Sequence, residues 1–212
     1  MKIKSLEFNP FYENTYILWD DTKEAIIVDP GCYESYEIDE LKQFVKSQEL
    51  KIVAVVNTHC HIDHVLGNYT MKTFYNCPLW IPKNEADSYR SVVAYAPQWG
   101  ITGFTYTEPD LLLENDALIK FGNTELQAIY CPGHSPGHLV FHNVENKVII
   151  GGDVLFRQSI GRTDLPGGNH SQLLENIKNK LYILDNDIEV FPGHGPSTTI
   201  GYEKNHNPFV RA

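Results

Sequence analysis

The chain has 212 residues, 42% of them hydrophobic and 21% charged, with a formal net charge of −10. These totals suit a globular protein with a full core and are unfavourable for a nucleic-acid binder, whose phosphate contacts need basic patches; here Lys and Arg are scattered singly. No apolar run approaches the ~20 residues of a membrane span, and the N-terminal "MKIKSLEFNPFYENTY" has no signal-peptide core, so neither membrane nor secretion is expected and the cytoplasm is the default location.

In chain order, Ile3 to Phe8 and Thr15 to Trp19 read as short strands, and "EAIIVDPG" as an apolar strand ending in a type II turn at Pro30-Gly31. Ile38, Leu41, Phe44 and Val45 recur at helical spacing, which predicts a helix over Ser35 to Ser47. "KIVAVVNTH" centres on Ile52 to Val56, a β-branched run suited to a strand buried on both faces. Val65 to Tyr75 reads as helix, "PLWI" as strand and Asn84 to Ala94 as helix. "ALIKF", "TELQAIYC", "HLVFHNV" and "KVIIGGD" read as strands, with turns at Gly122-Asn123 and Glu145-Asn146. Gln172 to Tyr182 follows as a helix and "IEVFPGHG" as a last strand. Strands in both halves with helices between them predict an α/β fold: two sheets face to face, helices outside, in one domain over 1–212.

The chemistry concentrates at "THCHIDH", directly after the most apolar strand. Residues two apart in extended chain share a side, so His59 and His61 can reach one cation. Asp63 and His64, at a turn into a helix, are placed for a neighbouring position. Cys60 lies between two histidines that share a side, and so faces away from them. The four cysteines form no C-x-x-C and are expected as reduced thiols. Three more donors stand at strand ends beside Gly or Pro: His134 in "CPGHSPGH", Asp153 in "IIGGDVLF" and His194 in "FPGHGP". Nitrogen donors with carboxylates suit zinc and similar metals. His138, His142, His170 and His206 are expected at the surface or behind the ligands.

"T-H-C-H-I-D-H", "PGHSPGH", "GGDVLF" and "FPGHGP" resemble, in order, the motifs of the metallo-β-lactamase fold superfamily, over nearly the whole chain. The resemblance implies an αββα sandwich of two mixed sheets flanked by helices. It implies two divalent metal ions, zinc first, with iron or manganese as alternatives. His59, His61 and His134 would hold the first, Asp63, His64 and His194 the second, and Asp153 would bridge them. "SIGRTDLPGGNHSQLLENI" and "GHGPSTTIGYEKNHNPF" are similar to short, single-domain glyoxalase II-like hydrolases. The larger enzymes of that group carry a further helical domain for glutathione, for which no counterpart is expected here.

That resemblance implies hydrolysis of a small-molecule thioester or ester such as S-lactoylglutathione. A water shared by two cations loses a proton near neutral pH, and Asp63 would orient it while holding the second metal. A thiolate leaves with little protonation, its parent thiol having a pKa of ~8.5. Asp29 and Asp164 are candidate acceptors behind the ligand imidazoles, Asp164 also pairing with Arg162. Arg157 and Arg162 are candidate substrate contacts. The aromatic segment Tyr95 to Tyr106 either packs or caps a pocket. The alternatives are a mononuclear-iron persulfide dioxygenase, with His59, His134 and Asp153 as its triad, and a lactonase or other ester hydrolase.

Overall fold

In the computed structural model, residues 1–211 are described, and they form two compact units: residues 1–113 with 120–124, and residues 114–119 with 125–211.

The first unit is built on a six-stranded mixed sheet. Its strands β1 (Lys2–Phe8), β2 (Glu13–Trp19), β3 (Glu24–Val28), β4 (Lys51–Val56), β5 (Leu79–Pro82) and β6 (Leu111–Leu113) lie side by side in that order. The β1–β2 and β2–β3 pairs are antiparallel, and the following three pairs are parallel. Every residue of β2 is buried, as are the last four of β3, which suits the apolar run of β3 and the second half of β2, while Glu13, Asn14 and Thr15 are buried polar groups at the head of β2. Each fully buried Ile, Val or Leu stabilises such a sheet by about 1.5–3 kcal/mol.

Parallel β3 and β4 require a crossover, and helix α1 (Ser35–Ser47) supplies it, burying Leu41 and Val45 as the spacing predicts. The ligand-rich loop begins where β4 ends. The predicted helix over Val65 to Tyr75 is instead two pieces, α2 (Ile62–Val65) and α3 (Asn68–Tyr75). The break is at Gly67, whose N–H donates to Pro30 O at 2.7 Å and where a Cβ would stand 2.7 Å from Cys32 Sγ. Helix α4 (Ala86–Tyr95) follows a 3-10 turn at Lys83–Glu85. The type II turn at Pro30-Gly31 is not formed: the left-handed residue is Asp29, with φ 49°. Gly31 is required for a different reason, since a Cβ there would collide with Glu13 Oε2 and crowd Asp63 O.

The other mixed sheet, drawn mostly from residues of the second unit, is ordered β14 (Thr198–Thr199), β13 (Glu189–Pro192), β10 (Val148–Gly152), β9 (Leu139–Asn143), β8 (Thr124–Tyr130), β7 (Leu118–Phe121). β10 and β13 are parallel; β8–β9, β9–β10 and β13–β14 are antiparallel. A small hairpin, β11 (Leu155–Phe156) with β12 (Ser159–Ile160), was not legible in the sequence. The helix predicted over Gln172 to Tyr182 is α5 (His170–Asn176) running into one π-helical turn, Ile177–Leu181. The wider turn keeps Leu173, Ile177 and Leu181 in the core with Val140, Ile149 and Val190. Meanwhile Asn176 and Lys180 donate to the carbonyls of Pro132 and Tyr130, at 2.7 and 2.5 Å. Helix α6 (Ile200–His206) closes the unit. Among the described residues no helix is long and apolar enough to cross a membrane.

Candidate metal centre

In the first unit the donors stand just past the C-terminal end of β4. His59 and His64 are fully buried. The ring centroids of His59 and His61 are 4.8 Å apart, as the two-residue spacing predicts, and those of His59 and His64 are 4.2 Å apart. Asp63 Oδ2 lies 3.6 Å from His64 Nε2.

The carboxylate of Asp29 organises this loop from behind. Its Oδ1 accepts the Thr58 N–H at 2.7 Å and its Oδ2 the Thr58 hydroxyl at 2.6 Å. The same Oδ2 is 3.2 Å from His64 Nδ1. An imidazole whose Nδ1–H is bound to a carboxylate presents Nε2 as a lone-pair donor, the usual arrangement behind a metal ligand. Asp29, predicted as such an acceptor, takes this position beside His64.

Three further polar groups hold the loop and were not picked out in the sequence. Asn9 donates its side-chain N–H groups to Gly31 O and Asp63 O, both at 3.0 Å, and its own N–H to Glu37 Oε1 at 2.7 Å. Buried Glu85 accepts the N–H of Cys60 at 3.2 Å, pinning the backbone between His59 and His61. Fully buried Glu13 has Oε1 3.9 Å from His64 Nδ1 and Oε2 2.9 Å from Thr15 Oγ1. Burial pushes its carboxyl well above the usual range, although His64 pulls the other way. The sequence carried no signal for Glu13, since the strand read from it began at Thr15 and the structure starts β2 two residues earlier.

Cys60 is wholly buried in the apolar core, and desolvation with Glu85 nearby raises its thiol well above the ordinary value. Such a thiol is a poor source of thiolate. The aromatics of the Tyr95 to Tyr106 segment mostly pack: Phe104 and Tyr106 lie against buried Tyr89, at centroid distances of 6.3 and 5.0 Å. Among those aromatics Trp99 is the exposed one, edge-on to Phe11 at 5.8 Å.

In the second unit His134 and His194 converge on Asp153. Both Nε2 atoms are 3.5 Å from the same oxygen, Asp153 Oδ2. His134 Nδ1 is 2.8 Å from the carbonyl of Arg162, which fixes Nε2 as the outward donor. Thus it is the Arg162 backbone, not Asp164, that stands behind His134. Asp164 is occupied with Arg162 as expected, in a bidentate pair at 2.7 and 2.8 Å, and this pairing holds its carboxyl down at about 2. His138 is fully buried, its Nε2 accepting the Asp153 N–H at 3.0 Å. Gly161 has no room for a side chain: a Cβ would collide with Asp153 O and stand 3.1 Å from His134 Nδ1. His142 is buried in β9, His170 begins α5, and His206 stacks on Tyr202 in α6. Arg157 lies over the Tyr202 ring.

The separations carry chemical information. An N–H···O hydrogen bond is 2.7–3.2 Å long, roughly. Donors bound 2.0–2.1 Å from one tetrahedral cation stand roughly 3.3–3.4 Å apart. The three imidazole–carboxylate contacts, 3.5, 3.5 and 3.6 Å, fall near the second spacing. Within each unit, then, the residues fit a divalent metal. Nitrogen donors are oriented by acceptors on their far side, and a carboxylate stands one coordination edge away.

The model of the Metallo-beta-lactamase superfamily matches residues 8–194. A protein named hydroxyacylglutathione hydrolase GloC, from Haemophilus influenzae, is 35% identical over 215 residues, covering 100% of this chain and 99% of its own length. The crystal structure titled BLEG-1 B3 metallo-beta-lactamase is 34% identical, with a TM-score of 0.88 and full coverage of both chains. TTHA1623, in a di-iron-bound form, is 31% identical, with a TM-score of 0.87 over 98% of this chain and 100% of that one.

Proposed function

The chain belongs to the metallo-β-lactamase superfamily, and we propose that within it this member is a two-metal hydrolase of acyl thioesters, with S-lactoylglutathione as a substrate. The observation that carries the reading is the placement of His134 and His194 one coordination edge from a single oxygen of Asp153. A carboxylate that serves two imidazoles in this way is suited to bridging two cations. The GloC relative supports the thioester class, and the di-iron relative supports a two-metal centre.

His59, His61 and His134 would hold one cation and Asp63, His64 and His194 the other, with Asp153 shared. Bound there, two divalent metals, zinc first among them, supply an ionised water at neutral pH and an electrophile for the carbonyl oxygen. The chain's own residues do the rest. Asp63, 14% exposed beside fully buried His64, orients the attacking water and receives its proton at a carboxylate oxygen. Asp29 and the Arg162 carbonyl keep His64 and His134 in the tautomer that donates from Nε2. No general acid is needed for a thiolate leaving group.

Attack by a cysteine is disfavoured by burial. Desolvation raises the Cys77 thiol to about 11 and the Cys131 thiol to about 12, and it pushes Cys32 and Cys60 up as well. A nucleophilic cysteine needs the opposite shift. The Asp63–His64 pair favours two metals over the single iron of a persulfide dioxygenase.

Elemental analysis of the purified protein with a thioesterase assay tests the reading. About two metal ions per chain and release of free thiol from S-lactoylglutathione are expected, with both lost in His59→Ala. One iron per chain, with oxygen uptake on a persulfide and no thioester cleavage, would replace it with the dioxygenase.

A further inference from the structure

The β11–β12 hairpin leaves Asp153 and comes back to Arg162, and it touches both imidazoles that converge on that aspartate. On the outward limb the Phe156 ring lies edge-on to His194, with centroids 6.1 Å apart. On the return limb Gly161 is pressed against Asp153 O with no room for a Cβ, and the next carbonyl, Arg162 O, is 2.8 Å from His134 Nδ1. Two residue pairs, Leu155–Ile160 and Phe156–Ser159, join the limbs. A two-stranded ribbon that short does not hold its shape alone.

Helix α6 supplies the hold. Gln158, at the tip, has φ 56°, left-handed backbone that a non-glycine residue keeps only where its surroundings fix it. Its N–H donates to Glu203 Oε2 at 2.9 Å, and its side-chain amide to the Tyr202 hydroxyl at 2.6 Å. Asn207 Nδ2 donates to Ser159 O and to the same Glu203 Oε2, both at 2.9 Å. Asn207 Oδ1 accepts the N–H groups of Phe209 and Val210, at 3.0 and 3.2 Å, so the amide has one orientation that satisfies all its partners. Glu203 Oε1 takes the Thr198 hydroxyl at 2.5 Å. Glu203 and Asn207 are both fully buried. Ending the helix would need neither the Gln158 N–H nor Ser159 O, yet the pair directs a bond at each. Ile160 and Gly161 alone separate the clamped Ser159 from Arg162.

We propose that Glu203 and Asn207 are positioning residues of the metal site: by clamping the hairpin at Gln158 and Ser159, they keep the Arg162 carbonyl behind His134 and the Phe156 ring against His194. The inference rests on the metal reading of His134, His194 and Asp153 and is independent of the substrate.

Zinc affinity, measured by competition with a chromogenic chelator, tests it together with the absorption bands of the cobalt(II)-loaded protein. Glu203→Ala should weaken zinc binding about tenfold, the lower end of the range for support behind a ligand, and shift the cobalt bands. Glu203→Gln should restore both, since its carbonyl oxygen still accepts from Gln158 and Asn207 while its amide donates to Thr198 Oγ1. Asn207→Asp should lose as much as Glu203→Ala, because a carboxylate cannot donate to Ser159 O and repels Glu203. Gln158→Gly separates positioning from stability. Glycine adopts φ 56° without strain, so the melting temperature of the metal-free protein should stay near wild type, yet zinc should bind several-fold more weakly. Wild-type zinc affinity in Gln158→Gly and Asn207→Asp, or a loss in Glu203→Gln as large as in Glu203→Ala, would overturn the assignment. If the wild type bound no zinc, the metal reading would fall, while the ring-nitrogen shifts of neutral His134, read by NMR in metal-free protein, would still decide on the clamp. A proton held at Nδ1 in wild type and shared between the two nitrogens in Gln158→Gly supports it; the same tautomer in both overturns it.

Discussion

Asp29 Oδ2 stands 3.2 Å from His64 Nδ1, with both side chains buried and the Thr58 N–H and hydroxyl closing around the same carboxylate. One aspartate thereby fixes both the turn that follows β4 and the ring orientation of His64. Removing such an acceptor typically lowers metal affinity by about 10–100-fold. Asp29→Ala should show this in competition with a chromogenic chelator, together with a lower melting temperature. Unchanged affinity would mean that His64 needs no support from Asp29.

Asn9 sits in left-handed backbone, φ 54°, and ties the carbonyls of Gly31 and Asp63 together. Asn9→Ala leaves those two carbonyls without their donor and puts a Cβ-bearing residue without polar compensation in a strained conformation. The expected loss is about 1–3 kcal/mol in urea unfolding. Asn9→Asp should not rescue it, since a carboxylate cannot donate to Asp63 O.

Gly161 is a point of forced close approach. Gly161→Ala presses a methyl group into the Asp153 carbonyl and toward His134 Nδ1. The bound metal should fall below the wild-type content, as measured by elemental analysis after gel filtration. Retention of full metal content would show that the loop relaxes around the methyl group.

His142 gives a pH dependence of known sign. Desolvation lowers its pKa below the usual histidine range, and its Nε2 has no hydrogen-bond partner. The unfolded chain therefore binds more protons than the folded one in the window below about 6.5, so His142 removes stability as pH falls through that window. His142→Leu should flatten the fall. The melting-temperature difference between variant and wild type should be larger at pH 5 than at pH 7.5. A constant difference would mean that His142 titrates normally.

The parts of the fold that a short range of sequence can specify were the readable ones. Helix α1 was found to the residue, because Leu41 and Val45 obey a 3.6-residue period and nothing interrupts it. That the His59 and His61 rings lie side by side was legible because a two-residue spacing in extended chain is local geometry. What was missed depends on contacts across long separations. Glu13 acts on His64 and Glu85 on Cys60 from other strands and helices, and Asn9 reaches Asp63 across 54 positions. On sequence alone His138 could stand at the surface or behind the ligands; burial places it under the Asp153 N–H. Two-residue strands such as β11 and β12 have no period to detect, yet they set Phe156 against His194. Gly67 was read through as helix because one glycine is tolerated there; only its approach to Cys32 and Pro30 shows why the helix breaks.

The central claim, two metals serving one thioester hydrolase, is tested most directly by titrating metal-free protein with zinc while following thiol release from S-lactoylglutathione. Hydrolysis should rise and level off at two equivalents per chain. A plateau at one equivalent, or no thiol release at any loading, would contradict it.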